Sequence, residues 1–78
     1  MSKTKTVPGF SDRLLEAINK KDLSITMVAF YAGVSNGALY NYLYNDTAPS
    51  IVAVYKLCKT LKVSADWLLF GGEVPTWN

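Results

Sequence analysis

The hydrophobic residues between Ser24 and Tyr44 fall into two short stripes, one on each side of a glycine. The first stripe follows the i, i+3, i+4, i+7 spacing of one helix face: Ile25, Val28, Ala29 and Ala32. The second stripe keeps the same period: Leu39, Tyr42 and Leu43. Gly33 follows the first stripe, where a helix end favours left-handed backbone, and Ser35 precedes the second, where a hydroxyl can cap a helix. Because only Val34 lies between these two signals, the pattern predicts a helix-turn-helix.

The remaining apolar positions predict three more helices. The first has Ser11 as its N-cap and one apolar side: Phe10, Leu14, Leu15 and Ile18. The fourth follows Pro49 and has a similar side: Ile51, Val54, Leu57, Cys58 and Leu61. The fifth is capped by Ser64, contributes Leu68 to the core and ends at a pair of glycines. The sequence therefore predicts an all-α bundle.

The length of the chain limits it to one domain. Seventy-eight residues, half of them hydrophobic, can build one ordinary core but not two. Pro8 and Gly9 signal a turn or linker before the first helix. We therefore predict a flexible N-terminal arm over residues 1–9, a helical domain over 10–72 and a C-terminal tail over 73–78.

The order of residues around the turn is more specific than the apolar pattern. An alanine, a glycine four residues later, an aliphatic residue and a serine, and then two anchors are present: Ala29, Gly33, Val34, Ser35, Leu39 and Tyr42. This order resembles the DNA-binding motif of the lambda-repressor-like family (the Cro/cI, xenobiotic-response-element class). The resemblance continues through the fourth and fifth helices and covers roughly residues 10 to 72. It implies a compact five-helix lambda-repressor-like bundle.

In that family the third helix enters the major groove of DNA. The resemblance therefore assigns DNA contact to the outer side of this helix: Ser35, Asn36, Gly37, Tyr40, Asn41 and Tyr44. Asparagine can bond adenine N6 and N7 together, and tyrosine offers a hydroxyl to phosphate and a ring edge to a thymine methyl. Gly37 removes a side chain where backbone must come close. Because this side carries no arginine or lysine for guanine, we expect an A·T-rich site.

The resemblance implies a transcriptional regulator, and we interpret the chain as a phage or bacterial repressor. A homodimer would place two third helices in successive major grooves, about 34 Å apart on a palindromic operator, and so block polymerase. Four large apolar residues of the fifth helix and tail are candidates for the dimer or partner interface: Trp67, Phe70, Val74 and Trp77.

The charge of the chain is low for a nucleic-acid binder. Eight Lys and Arg residues against six Asp and Glu residues give a net charge of +2. Further candidates for contact with the DNA backbone are scattered along the chain: Lys3, Lys5, Lys20, Lys21, Ser24 and Thr26. Two of these pairs have simpler explanations, since Lys3 and Lys5 can belong to a frayed terminus and Lys20 and Lys21 suit a helix C-terminus. The lysines of the fourth helix fit a solvated face, with a backbone contact by one of them as the alternative.

The low charge and two further features favour a different function on the same fold, a protein–protein interaction module with little or no DNA binding. Ile25 stands where the family usually carries a glutamine that contacts the DNA backbone. Phe30 and Tyr31 lie on a helix whose apolar stripe is already complete, so at least one ring should face outward. That ring would either pack against the N-terminal arm or the fourth helix, or contact a second protein.

The sequence argues against an enzyme. It has no histidine, no cluster of metal ligands, no phosphate-binding glycine loop and no nucleophile beside a base. We therefore expect no cofactor, no metal and no small-molecule ligand. The one cysteine, Cys58, cannot form an internal disulfide and reads as a small buried hydrophobe. No signal peptide and no apolar run of about 20 residues is present, so we expect a soluble cytoplasmic protein.

Overall fold

The predicted helices all form in residues 6–71, the part of the chain that the computed structural model describes. They are α1 (Phe10–Lys20), α2 (Ile25–Ala32), α3 (Asn36–Tyr44), α4 (Ile51–Leu61) and α5 (Ala65–Phe70). Within the described range there is no strand, so the all-α five-helix fold is confirmed. None of these helices is long and apolar enough to cross a membrane.

Serine hydroxyls cap every helix after α1. Ser24, Ser35, Ser50 and Ser64 each accept a hydrogen bond from the backbone N–H three residues later, at 3.0–3.1 Å. Such a cap contributes about 1 kcal/mol to helix stability. The caps at Ser35 and Ser64 were predicted from the sequence, whereas the cap at Ser50 was not, because Pro49 marked the start of the fourth helix one residue earlier.

The predicted Ser11 cap is wrong. Helix α1 starts one residue earlier, at Phe10, and Gly9 occupies its N-cap position with φ of 79° and no side-chain cap. Phe10 is fully buried, with its ring edge against Tyr42, which draws the first turn into the core. Ser11 therefore lies inside the helix, and its hydroxyl donates a 2.6 Å hydrogen bond to the Tyr42 carbonyl. The serine joins α1 to α3 instead of ending α1.

A single apolar core joins all five helices. Its fully buried large side chains come from every helix: Leu14, Ile18, Val28, Leu39, Leu57, Leu61 and Leu68. Helix α2 packs against both α3 and α4, while α1 packs against α3 and α5. The helix-turn-helix is thus backed by α1 and α4, which hold α3 at the surface.

Two predicted core positions of α4 are not buried. Ile51 is 88% exposed, and Cys58 is only half-buried. The buried side of α4 consists of Ala53, Val54, Leu57 and Leu61. At about 100° per residue, Ile51 lies more than a quarter-turn from the centre of that side and Cys58 nearly a quarter-turn. The apolar character of both residues suggested a wider buried stripe than α4 has.

Arg13 ties the start of α1 to the end of α5, a contact that the sequence did not suggest. Its Nε donates to the Leu68 carbonyl at 3.0 Å, and its Nη2 donates to the Leu69 carbonyl at 2.8 Å. The same Nη2 donates to the Pro8 carbonyl at 3.1 Å. These bonds satisfy carbonyls at a helix C-terminus that have no partner within the helix.

The segment before α1 is held against the loop between α3 and α4. The Thr6 backbone N–H donates to the Asp46 carboxylate at 3.1 Å, and the Thr6 hydroxyl donates to the Asp46 carbonyl at 3.2 Å. Val7 packs on the core. Residues 6–9 of the predicted arm therefore contact the domain, and Lys3 and Lys5 lie outside the described residues.

Candidate nucleic-acid interface

The turn between α2 and α3 is built as the sequence predicted. Gly33 adopts the left-handed conformation with φ of 76°, and its N–H donates to the Ala29 carbonyl at 2.9 Å. The Val34 N–H donates to the same carbonyl at 3.0 Å. Ala29 is buried, and its small side chain allows the two helices to approach each other closely. The turn fixes the direction in which α3 leaves α2.

Helix α3 buries one side and exposes the other. Leu39, Tyr42 and Leu43 are buried, as predicted. The opposite side consists of exposed residues that the sequence singled out: Ser35, Asn36, Gly37, Tyr40, Asn41 and Tyr44. We refer to this set as the α3 face. The structure brings all of its members to one continuous surface.

Gly37 leaves an open space in the α3 face. A Cβ atom added at this residue would meet no other heavy atom within 4 Å, and its φ is not positive. The glycine is therefore required neither by packing within the protein nor by left-handed backbone. It places bare backbone in the first turn of a helix, although glycine is about 1 kcal/mol less favourable than alanine in a helix interior.

The remaining side chains of the α3 face are arranged in two pairs. The rings of Tyr40 and Tyr44 lie 5.0 Å apart between centroids, tilted by 54°. The Asn45 side-chain amide donates to the Asn41 Oδ1 at 2.6 Å, which orients the Asn41 amide. The Asn41 Nδ2 keeps its donors, and Oδ1 keeps a second lone pair. Asn45 was missed, although its i, i+4 spacing from Asn41 could have identified it.

The N-terminus of α3, and not a charged side chain, supplies the positive potential at the α3 face. The Leu39 N–H makes the first helical bond, to the Ser35 carbonyl at 3.0 Å, and Ser35 Oγ accepts from the Ala38 N–H. The N–H groups of Asn36 and Gly37 come before these bonds and point outward along the helix axis. A helix N-terminus carries roughly half a positive charge, which attracts phosphate.

Two residues at the start of α2, Ser24 and Thr26, were predicted to contact the DNA backbone. Ser24 and Thr26 are both exposed, but the Ser24 hydroxyl already accepts the Met27 N–H at 3.1 Å. Ile25 is half-buried and packs against the core, so it cannot take the place of the expected glutamine. Thr26 lies at the surface and stays a candidate for contact with the DNA backbone.

The lysines at the end of α1 lie in different surroundings from the α3 face. Lys20 pairs with Glu16 at 3.5 Å on the surface, where such a pair contributes little. Lys20 and Lys21 line a shallow groove with Leu61 and Trp67. Trp67 is thereby half-buried, whereas Phe70 is exposed. The other two predicted interface residues, Val74 and Trp77, lie outside the described residues.

The aromatic residues of α2 face outward, as predicted for at least one of them. Phe30 is 80% exposed and Tyr31 is 59% exposed. Their rings touch edge to face, with centroids 5.6 Å apart. Neither ring is part of the core or of the α3 face.

The remaining described residues offer few reactive or metal-binding groups. Partial burial raises the pKa of the Cys58 thiol by desolvation, which favours the protonated form of the thiol. Cys58 lines an apolar cleft of about 540 Å³ between α4 and α5. Residues 6–71 contain no group of three or more His, Cys, Asp or Glu side chains that could hold a metal ion.

Comparison with known families agrees with this geometry. The sequence profile of a helix-turn-helix family of the Cro/C1 type matches residues 14–68, which run from the core of α1 into α5. No curated protein and no solved structure matches the chain. The matched residues include the whole turn and the α3 face. The chain belongs to the lambda-repressor-like helix-turn-helix family of DNA-binding domains.

Proposed function

We propose that this domain binds double-stranded DNA sequence-specifically, with the α3 face in the major groove. The observation that carries the proposal is the open space at Gly37 on a face of asparagine and tyrosine side chains. A glycine that the fold does not need is explained if the helix backbone approaches a base edge or a phosphate. Family membership supports the same surface.

Base readout would come mainly from amides. The Asn41 amide, oriented by Asn45, is suited to adenine N6 and N7, and Asn36 offers a second amide in the first turn. Each good bidentate contact of this kind contributes about 1–3 kcal/mol of discrimination between bases. The paired rings of Tyr40 and Tyr44 present hydroxyls and edges to phosphate and thymine methyl groups. An A·T-rich site follows from this chemistry.

We further propose that the domain acts as a repressor of phage or bacterial type, in the bacterial cytoplasm, through a homodimer on a palindromic operator. The support is energetic. An α3 face without charged side chains neutralises few phosphates, so one copy alone binds weakly. Linking two half-sites multiplies affinity without new contacts. Phe70 and Trp67 are the described residues proposed for the dimer contact, and occlusion of polymerase needs no catalytic group.

The test is selection of bound duplexes from a random DNA library at low salt. We expect an enriched A·T-rich inverted repeat with half-sites about one helical turn apart. A single half-site would retain DNA binding and reject the dimer. An absence of any enriched sequence would reject the proposed function and favour the protein-interaction alternative.

Asn41→Ala tests the contact itself on the selected duplex. We expect affinity to fall by about 5- to 150-fold, which corresponds to the ~1–3 kcal/mol of one bidentate contact. Asn19→Ala is the matched control, because it removes an exposed amide from α1. If Asn41→Ala selected the same sequence with wild-type affinity, the α3 face would not be the reading surface.

A further inference from the structure

A second exposed surface lies where α2 and α4 pack side by side. It consists of rings from both helices and two ammonium groups from α4: Phe30, Tyr31, Tyr55, Lys56 and Lys59. We refer to this set as the α2/α4 face. Tyr55 is 61% exposed, comparable to Tyr31, and Phe30 is more exposed still. Single exposed apolar side chains are ordinary, but a contiguous group of large rings marks an interaction surface.

The α2/α4 face contains a shallow groove. Tyr31 and Tyr55 form part of its lining, together with Ala32 and Thr60, and its volume is about 310 Å³. This lies at the lower end of the ~300–1,000 Å³ typical of ligand pockets. An open groove of this size suits one large anchoring side chain of a protein partner.

Two positive charges border the groove. The Lys56 Nζ lies 3.5 Å from the Gly33 carbonyl, at the C-terminal end of α2. The Lys59 Nζ lies 5.4 Å from the centre of the Tyr55 ring. The helix C-terminus and the ring face each attract a cation, so both ammonium groups are already held in position. Among the described residues that line the groove there is no carboxylate.

The DNA-binding role does not account for this surface. Helix α2 lies between α3 and α4, and the α2/α4 face contains no residue of α3. Phe30 would gain nothing from a phosphate, whereas aromatic side chains are enriched in protein interfaces. Both helices of this face are anchored in the core, since Val28 and Ala29 of α2 and Ala53 and Leu57 of α4 are buried.

We propose that the α2/α4 face docks an acidic segment of a partner protein. The segment places an aromatic or leucine side chain in the groove between Tyr31 and Tyr55, and its carboxylates pair with Lys56 and Lys59. The docking site shares no residue with the α3 face. This inference is independent of the function proposed for α3.

The test is selection from a random peptide library displayed on phage, using the whole chain as bait. We expect enriched peptides to combine several acidic residues with a leucine or aromatic residue. A synthetic copy of an enriched peptide, labelled with fluorescein, is then titrated by anisotropy. Tyr31→Ala and Lys59→Glu should each weaken its binding by about tenfold or more. Both side chains are exposed, so the fold should survive, which circular dichroism checks.

Matched variants separate this surface from the α3 face. Tyr44→Ala removes an exposed tyrosine from α3, and Lys21→Glu reverses an exposed lysine on another surface, so both should leave peptide binding unchanged. Tyr31→Ala should in turn leave DNA binding unchanged. The proposal is overturned if no peptide is enriched, if enriched peptides are basic or neutral, or if their binding ignores Tyr31→Ala. Self-association of the chain and its binding of single-stranded DNA are measured with the same variant. The proposal is also overturned if Tyr31→Ala abolishes either of these and leaves peptide binding unchanged.

Discussion

Replacing Gly37 with alanine should make the protein more stable and a poorer DNA binder. The residue lies in the first turn of α3 with helical backbone, and an added Cβ would meet nothing within 4 Å. The substitution therefore introduces no clash and no strain in the isolated protein. Any loss of DNA binding must come from contact between the added methyl group and the DNA.

The effect of Gly37→Ala on stability and its effect on DNA affinity have opposite signs, and each has its own expected magnitude. At a compatible site Gly→Ala raises the free energy of unfolding by about 0.4–1 kcal/mol, because the unfolded chain loses freedom. For a domain of this size that corresponds to an increase in Tm of about 2–8 °C. A methyl group forced into a well-packed contact costs about 1–3 kcal/mol, or about 5- to 150-fold in affinity.

Thermal denaturation by circular dichroism measures the first effect, and fluorescence anisotropy with the selected duplex at fixed salt measures the second. Asn19→Ala on α1 is the control, and it should leave DNA affinity unchanged. If Gly37→Ala lowered Tm, the space around Gly37 would not be open as described. If it raised Tm and bound DNA as tightly as the wild type, close approach of the α3 backbone to DNA would be refuted.

Three other perturbations have defined outcomes. Arg13→Ala should lower the free energy of unfolding by about 2 kcal/mol or more, because it removes charged hydrogen bonds to helix-end carbonyls. The loss should appear as a lower midpoint of unfolding in urea. An unchanged midpoint would show that these bonds contribute nothing to stability. Tyr44→Lys should steepen the log–log salt dependence of DNA binding by about 0.9 per protomer, since it adds one phosphate contact; an unchanged slope would place Tyr44 away from the backbone. The raised pKa of the Cys58 thiol means that the folded state holds its proton more tightly than the unfolded state. The associated stability should therefore be complete below the unfolded pKa and decline as pH rises through the folded pKa. Cys58→Ala should remove that decline in stability. If the rate of alkylation of Cys58 rose at the same pH as that of a fully exposed thiol, the raised pKa would be contradicted.

The local features of the fold were predictable because their causes are local. A left-handed backbone at Gly33 and a hydroxyl at Ser35 each determine one helix end within a few residues, and both formed as predicted. The errors arose where distant residues decide the outcome. Ser11 looks like a cap until burial of Phe10 against Tyr42 moves the helix start. Arg13 shows no local sign of its two partners in α5, which lie 55 and 56 residues away along the chain.

The same distinction applies to the surface of the domain. Helical periodicity was sufficient to predict which residues share the α3 face. The contact between the Tyr40 and Tyr44 rings was not predicted, although their i, i+4 spacing allows it. The α2/α4 face combines residues from helices that only the tertiary structure brings together. The sequence identified Phe30 and Tyr31 but could not connect them with Tyr55 or with Lys59.

The arginine contact between α1 and α5 also restricts which residues can stand next to these two helices. Gly9 and Gly71 flank the same Arg13 guanidinium, so that a Cβ on either glycine would collide with it. A side chain introduced at either glycine would therefore have to displace the guanidinium that joins α1 to α5, and it would also stand on backbone with positive φ, which favours glycine. The first and last helices are thus joined through one side chain packed between two glycines, so a substitution at Gly9 or Gly71 acts on both helices together.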